Sequence, residues 1–241
     1  MRGMTDRPLL TVAHRAGNTL TGLRVALQAG VDLVETDVHL LRDALEVRHT
    51  KALARHLLRE RWNSQRRHNP ARPRLAEVLA AADGDPRLML DLKGPSLSVA
   101  TRVAALLRQE APELPVTVCT KQWRMLDAFD GLPHVRRVLS VNNPVHLGRL
   151  RARLRRRPVF GVSIRRQLLT PAIVAELRES ATVVMVWPVD TEAALEHARR
   201  LGVTSVISKN LPLLRGLLAD RPTDAGPDPA PVAGRALPAT P

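Results

Sequence analysis

Apolar and polar residues alternate in blocks along this chain, and the first blocks predict a strand followed by a helix. Residues 9–13 (LLTVA) form the largely apolar run that is typical of a strand buried on both faces. Residues 19–30 then place apolar side chains at helical spacing, with Thr19 suited to the N-cap and Gly30 to the stop. The polar residues between the two blocks are therefore predicted to lie in a loop at the carboxyl end of the strand.

The same alternation continues along most of the chain. Eight strands followed by helices, within about 220 residues, fit the α/β fold class and a single (β/α)₈ TIM barrel. We predict this barrel for residues 1–220 and a disordered tail for residues 221–241, which are rich in Pro and Ala and have no apolar period. The predicted strands begin near residues 9, 32, 88, 116, 135, 158, 182 and 203, and later helical patterns cover residues 98–110, 122–130, 144–156, 171–179, 191–201 and 211–218.

Chemically useful side chains recur at the ends of the early strands. His14 and Arg15 directly follow the first strand, and Glu35 and Asp37 lie two residues apart on the second, so both carboxylates share one face. His49 follows a short alternating run at residues 45–48, which predicts an extra strand returning to the same end of the sheet. Active sites of TIM barrels lie at the carboxyl ends of the strands, where these residues are expected.

A third apolar run adds to this set. Asp91 and Lys93 end the strand predicted at residues 88–92 and again share a face. Each group alone is commonplace. In a pair of carboxylates, one often forms a surface salt bridge and the other a cap, and a lone histidine is usually structural or solvated. The set contains two imidazoles that can pass protons, three carboxylates that can bind a divalent cation and two cations that can bind phosphate. Together these groups predict a site for metal-assisted phosphodiester cleavage.

The ordered motifs resemble the glycerophosphodiester phosphodiesterase family of the PLC-like phosphodiesterase TIM-barrel superfamily. The resemblance covers residues 9–218 and implies a TIM barrel that uses Mg²⁺ or Ca²⁺ in lipid metabolism. It also implies release of glycerol 3-phosphate and an alcohol from deacylated phospholipids. The motifs are His14-Arg15, Glu35-Thr36-Asp37, His49, Asp91-Leu92-Lys93, Trp187 and Leu201-Gly202-Val203.

The residue types and the resemblance together assign roles to nine side chains. Two act as proton donor and acceptor in an order that the sequence leaves open, three bind the metal, and four contact the phosphate or the rest of the substrate. For Lys121 and Trp187, packing at the rim of the barrel is an equally good interpretation. The predicted catalytic residues are His14 and His49, the metal ligands are Glu35, Asp37 and Asp91, and the substrate-binding residues are Arg15, Lys93, Lys121 and Trp187.

The chain departs from the family pattern at several positions. Gly17 stands where the resemblance implies a loop glutamate that binds the metal, so the expected site has three carboxylates and a weaker affinity. Thr50 replaces an aspartate after His49, and Ser208 with Lys209 replaces a Thr-Asp pair. Such a site, with positions left for water, suits Mg²⁺.

These departures leave two other functions open. The sequence is also similar to sphingomyelinase D and phospholipase D toxins, which form cyclic phosphates from lysophospholipids. Those toxins carry a disulfide-closed loop, whereas Cys119 is the single cysteine here and allows no disulfide within the chain. The third interpretation is a catalytically degenerate barrel that binds phosphodiesters.

Composition narrows the choice of partners. The net charge is +14, which favours anionic small-molecule substrates such as glycerophosphodiesters or lysophospholipids, and allows peripheral contact with an anionic membrane surface. Aromatic residues make up 2% of the chain and Tyr is absent, which argues against nucleic acid because bases need stacking partners. The arginines cluster at positions 55, 59, 61, 66 and 67 after His49, and at positions 149, 151, 153, 155, 156 and 157 in one predicted helix.

The sequence shows no signal that would direct the chain to or across a membrane. No apolar stretch is long enough to span a bilayer, and the first residues lack the apolar core of a secretory signal. We therefore expect a cytoplasmic protein.

Overall fold

The computed structural model describes residues 8–41, 43–49, 72–156 and 158–221. Within them, nine strands form one sheet, and eight of these strands are parallel. The strands are β1 (Leu10–Ala13), β2 (Leu33–Leu41), β3 (Ala44–Val47), β4 (Leu88–Leu92), β5 (Val116–Thr120), β6 (Val135–Val141), β7 (Val159–Arg165), β8 (Ala181–Trp187) and β9 (Ser205–Ser208).

The eight parallel strands close into a barrel. Val12 of β1 lies level with Leu33 of β2 on one side and with Ile207 of β9 on the other, so the first strand joins the two ends of the sheet. The predicted TIM barrel is thus confirmed. The short strand β3 pairs antiparallel with β2, with Val47 level with Val38, and is the extra strand that was predicted before His49.

Seven α-helices in the described residues pack around the barrel. In five of them the N-cap side chain caps the first turn, as where the Thr19 hydroxyl accepts a hydrogen bond from Gly22 N at 3.0 Å. The helix predicted at residues 122–130 is a 3₁₀ segment (Trp123–Phe129), in keeping with the frequent use of 3₁₀ turns as connectors. The helices are α1 (Leu20–Gln28), α2 (Leu75–Ala82), α3 (Ser98–Glu110), α4 (Pro144–Leu154), α5 (Pro171–Arg178), α6 (Glu192–Leu201) and α7 (Leu211–Ala219).

Two apolar layers hold the fold together, one inside the barrel and one between the strands and helices. The strands alternate between them: Val183 and Met185 of β8 face the interior, while Val184 and Val186 pack in the outer layer. This alternation decides which side chains enter the barrel. The inner layer consists of Val12, Leu33, Met89, Cys119, Val138, Val183, Met185 and Ile207, with Leu10, Phe160 and Trp187 packed against it.

The described chain ends on an ion pair at the amino-terminal end of the barrel. The Arg221 guanidinium lies 2.5 Å from Asp32 Oδ2 and donates to the Leu9 carbonyl at 2.8 Å, so the first residue of the predicted tail contacts the barrel. Residues 222–241 and 50–71, the latter with the first arginine cluster, lie outside the described residues. Among the described helices, none has the length and apolar character needed to cross a membrane.

Candidate active site

The strand alternation brings one inward-facing position from each parallel strand to the carboxyl end of the barrel, which we call the mouth. His14 comes two residues after the inner residue Val12, and Lys121 and Lys209 come two residues after Cys119 and Ile207. Arg165 lies level with Trp187 across the β7–β8 pair. The eight inward positions of the mouth are His14, Asp37, Lys93, Lys121, Asn142, Arg165, Trp187 and Lys209.

Three carboxylates lie together on β2 and β4. Asp37 and Asp91 are level in the parallel pair, and Glu35 lies one inward position below Asp37. One oxygen from each of Glu35, Asp37 and Asp91 lies within 4.8 Å of the others. Glu35 is 3% exposed and Asp37 is fully buried, so water does little to reduce their mutual repulsion.

The proximity and burial of these carboxylates shift their pKa values. Burial, with the charges of Asp37 and Asp91, raises the pKa of Glu35 well above its ordinary value. Burial also raises the pKa of Asp91. For Asp37 burial acts in the same direction, but Lys93 and the hydrogen bonds to its carboxylate outweigh it and lower the pKa. The cluster therefore favours a bound cation, which removes the repulsion.

Lys93 supplies one such positive charge. Its ammonium contacts the Asp91 carboxylate and lies 2.7 Å from Asp37 Oδ1. Burial lowers the pKa of Lys93, but the carboxylates of Asp91, Asp37 and Glu35 outweigh burial and raise the pKa above its ordinary value. A residue predicted to bind phosphate is thus paired with two predicted metal ligands.

The loop after β1 closes over the carboxylates from the other side. Arg15 has a left-handed backbone (φ 62°), and its N–H donates to Glu35 Oε2 at 2.6 Å. Its guanidinium Nε lies 3.4 Å from Asp37 Oδ2. Asn18 Nδ2 donates to Asp37 Oδ2 at 2.9 Å, and Asn18 Oδ1 accepts from Asp37 N at 2.8 Å. Asn18 is a functional residue that the sequence analysis missed, although its place in the polar loop after His14 was a signal.

Close packing explains why Gly17 carries no side chain. A Cβ at this position would lie 1.8 Å from Thr36 Oγ1 and 3.2 Å from the Glu35 carbonyl oxygen. Gly17 is buried, so neither the loop nor the strand has space to retreat. The loop glutamate that the resemblance implies therefore has no room here, and the site has three carboxylates.

The two predicted catalytic histidines lie beside different carboxylates of this cluster. His14 Nε2 lies 4.0 Å from Glu35 Oε2, and burial, followed by the charge of Arg15, lowers the pKa of His14 to about 4. His49 Nδ1 lies 3.2 Å from Asp37 Oδ2. Burial and Arg15 also lower the pKa of His49, although Asp37 opposes them. Both shifts favour the neutral imidazole, which can accept a proton, while the Asp37 carboxylate stabilises the protonated form of His49.

The other predicted substrate-binding residues form a separate pair. Lys121 Nζ lies 5.5 Å from the centre of the Trp187 ring, so a side chain from β5 reaches across β6 and β7 to β8. The structure thus brings seven of the nine predicted residues together on β1–β4. Lys121, which follows the neighbouring strand β5, instead extends toward Trp187 of β8.

The residues present fit a divalent cation. Carboxylate oxygens are the ligands that Mg²⁺ and Ca²⁺ prefer, and three of them converge with their charges only partly matched by Lys93 and Arg15. Glu35, Asp37 and Asp91 could therefore bind such an ion together.

Comparison with solved structures gives the same fold. A protein from Silicibacter pomeroyi assigned as a glycerophosphoryl diester phosphodiesterase matches with a TM-score of 0.71 at 19% identity, over 91% of this chain and 95% of the other. An Oleispira antarctica phosphodiesterase in complex with the product sn-glycerol-3-phosphate matches with a TM-score of 0.68 at 21% identity, over 88% of this chain and 97% of the other. A glycerophosphodiester phosphodiesterase from Thermotoga maritima matches with a TM-score of 0.68 at 18% identity, over 87% of this chain and 98% of the other.

These matches confirm the resemblance at the level of the fold. No protein-family model matches the sequence, and no curated protein does. The chain therefore has the TIM-barrel fold of glycerophosphodiester phosphodiesterases at a sequence identity of about one fifth.

Proposed function

We propose that this protein is a metal-dependent phosphodiester hydrolase that cleaves glycerophosphodiesters to glycerol 3-phosphate and an alcohol. The observation that carries the proposal is the cluster of Glu35, Asp37 and Asp91, with His14 beside Glu35 and His49 beside Asp37. The fold shared with glycerophosphodiester phosphodiesterases supports it, as does the glycerol 3-phosphate complex of the Oleispira antarctica protein.

In this proposal, Glu35, Asp37 and Asp91 hold Mg²⁺ or Ca²⁺. Bound there, the cation supplies a Lewis acid that neutralises a nonbridging phosphate oxygen. Arg15 and Lys93 donate to the remaining phosphate oxygens. Lys93 is already within reach, because its ammonium lies over the carboxylates that face the mouth. When Asp37 and Asp91 hold a cation, the Lys93 ammonium would be released from them to contact the phosphate.

The two imidazoles differ in how well they hold a proton. Asp37 accepts from His49 when His49 Nδ1 is protonated, which fixes that tautomer and leaves Nε2 facing the substrate. His14 is buried among cations and has no carboxylate within hydrogen-bonding distance. We therefore assign His14 as the base that removes a proton from the attacking water. His49 is the acid: its doubly protonated form, with Asp37 as the counterion, gives the Nε2 proton to the alcohol oxygen as the P–O bond breaks.

The test is the release of glycerol 3-phosphate from four substrates: glycerophosphocholine, glycerophosphoethanolamine, glycerophosphoglycerol and glycerophosphoinositol. We expect turnover of at least one of them, lost on chelation and restored by Mg²⁺ or Ca²⁺. Failure to release glycerol 3-phosphate from any of the four with either metal would contradict the proposal and leave the phosphodiester-binding barrel.

Phosphorus NMR of the same reactions identifies the attacking group. Hydrolysis by water gives glycerol 3-phosphate directly. Attack by the glycerol 2-hydroxyl gives a cyclic phosphate, and lysophosphatidylcholine as substrate tests the same chemistry on a lysophospholipid. An accumulating cyclic phosphate would replace the hydrolase proposal with the lyase.

A further inference from the structure

The mouth carries more positive charge than a single phosphodiester can neutralise. Besides Arg15 and Lys93, the inward positions of β5, β7 and β9 hold Lys121, Arg165 and Lys209. Lys93 is paired with two carboxylates. In the described chain, neither Lys121, Arg165 nor Lys209 forms an ion pair. We call these three residues the cationic arc.

No carboxylate of the described residues forms an ion pair with the cationic arc, although Asp91 is close enough for the charge of Lys121 to act on its pKa. Arg165 Nε donates to the amide oxygen of Gln167 at 3.0 Å, which is a neutral partner. Beside Lys209, Asp190 Oδ1 accepts from the Lys209 backbone N at 2.8 Å and from Ser208 Oγ at 3.2 Å, so this oxygen is used by the turn. A set of inward cations that form no ion pair is suited to an anion that enters from solution.

The aromatic side chains near the cationic arc do not favour a quaternary ammonium ligand. Such ligands bind over open aromatic faces. Of the aromatic residues that the structure describes, Trp187 alone holds an inward position of the mouth, and the Lys121 ammonium lies over its ring at 5.5 Å. Trp123 donates its N–H to the Ser140 carbonyl at 3.1 Å, and Phe129 is fully buried. A choline group would therefore meet the Lys121 ammonium instead of an open aromatic face.

We propose that the cationic arc binds an anionic group on the alcohol part of the substrate, so that the preferred glycerophosphodiesters carry a phosphate or carboxylate there. This inference rests on the proposed function. Arg15 and Lys93 lie beside the carboxylate cluster and serve the scissile phosphate, and glycerol itself is neutral. The cationic arc continues around the mouth from Lys121, beside Lys93, to Lys209, beside His14, and is thus left for the alcohol. Arg and Lys side chains form strong charge-assisted hydrogen bonds with phosphate and carboxylate oxygens.

The test compares glycerophosphoinositol with glycerophosphoinositol 4-phosphate, which differ only in the added anion. Binding is measured by calorimetry with the His14→Ala variant, and kcat/KM with the wild-type protein. We expect the 4-phosphate to bind and react at least about tenfold better. The ratio should fall to about one to three in the double variant Lys121→Gln/Arg165→Gln, because the direct contacts are lost. Glycerophosphocholine should be the poorest substrate.

A matched control removes two charges elsewhere. Arg200→Gln/Arg215→Gln, on exposed positions of α6 and α7, lowers the net charge equally and should keep the tenfold ratio. Equal binding of the two ligands by the unaltered arc, or an equal fall of the ratio in both double variants, would overturn the inference. If no glycerophosphodiester is cleaved while the binding ratio behaves as expected, the proposed function fails and the anion site stands.

Discussion

The two sides of the barrel mouth differ in whether their charged side chains are paired. On β1–β4, the charged groups lie in contact with one another: Asp37 contacts Lys93 and Arg15, and also Asn18 and His49. On β5–β9, Lys121, Arg165 and Lys209 form no ion pair within the described chain, and the main contact is between Lys121 and Trp187. Under the proposed function, one side is preorganised for chemistry, while the other is left open to select what binds.

The largest expected effects concern the histidines of the preorganised side. We expect His14→Ala and His49→Ala each to lower kcat by about 10² to 10⁴, because each removes one proton transfer. The leaving group separates their roles. With the p-nitrophenyl ester of glycerol 3-phosphate, whose leaving group needs no proton, His49→Ala should regain most of its lost rate and His14→Ala should not.

His197→Ala, on α6 outside the mouth, is the matched control and should keep the wild-type kcat. Recovery of His14→Ala instead of His49→Ala would reverse the assignment of acid and base. Equal recovery of both variants would show that neither histidine protonates the alcohol.

A pair of lysine variants tests the contrast in stability between the two sides. Lys93→Met leaves the buried carboxylates of Asp37 and Asp91 without their cation, so we expect the free energy of unfolding to fall by about 2 to 3 kcal/mol in chelator. Lys209→Met removes a cation without a carboxylate partner and should change it by less than about 0.5 kcal/mol. Urea unfolding measures both.

Addition of Mg²⁺ should restore part of the stability of Lys93→Met, because the ion binds the folded cluster. If the two lysine variants are equally stable in chelator, the distinction between a paired and an unpaired side of the mouth is wrong.

The low pKa of His14 gives a pH dependence that belongs to the preorganised side alone. The pKa is lowered from 6.5 to about 4 in the folded protein, so between these values the unfolded chain binds a proton that the folded protein does not. Stability contributed by neutral His14 is therefore present above pH 6.5 and is lost as the pH falls toward 4. We expect the wild-type protein to lose about 2 kcal/mol more than His14→Gln across this window.

Urea unfolding at pH 7, 6, 5 and 4 in chelator measures the difference between the two proteins. His39, whose pKa is also lowered to about 4, is present in both and cancels. Parallel curves for wild type and His14→Gln would show that His14 titrates normally.

Much of this arrangement could be predicted from the sequence because strand alternation is a local property. The spacing of two between Glu35 and Asp37 is enough to place both carboxylates inside the barrel, and the run ending at Lys93 gives a second strand with the same parity. The extra strand before His49 was predicted for the same reason.

The sequence could not show contacts that depend on how the loop after β1 folds back. The left-handed backbone of Arg15 directs its N–H to Glu35, and Asn18 then reaches Asp37. The 1.8 Å approach that reserves position 17 for glycine exists only because Thr36 of a neighbouring strand lies beside it. Pairing of Lys93 with Asp37 across β2 and β4 is also a product of the closed barrel.

The most direct test of the account is a titration of Mg²⁺ or Ca²⁺ into chelator-treated protein, with glycerol 3-phosphate release measured on the same samples. We expect calorimetry to show one cation per chain and turnover to rise with its occupancy. In Asp37→Asn, binding should weaken and turnover fall by at least about 10³. Full turnover without a bound cation, or in Asp37→Asn, would contradict the claim that the three carboxylates form the catalytic metal site.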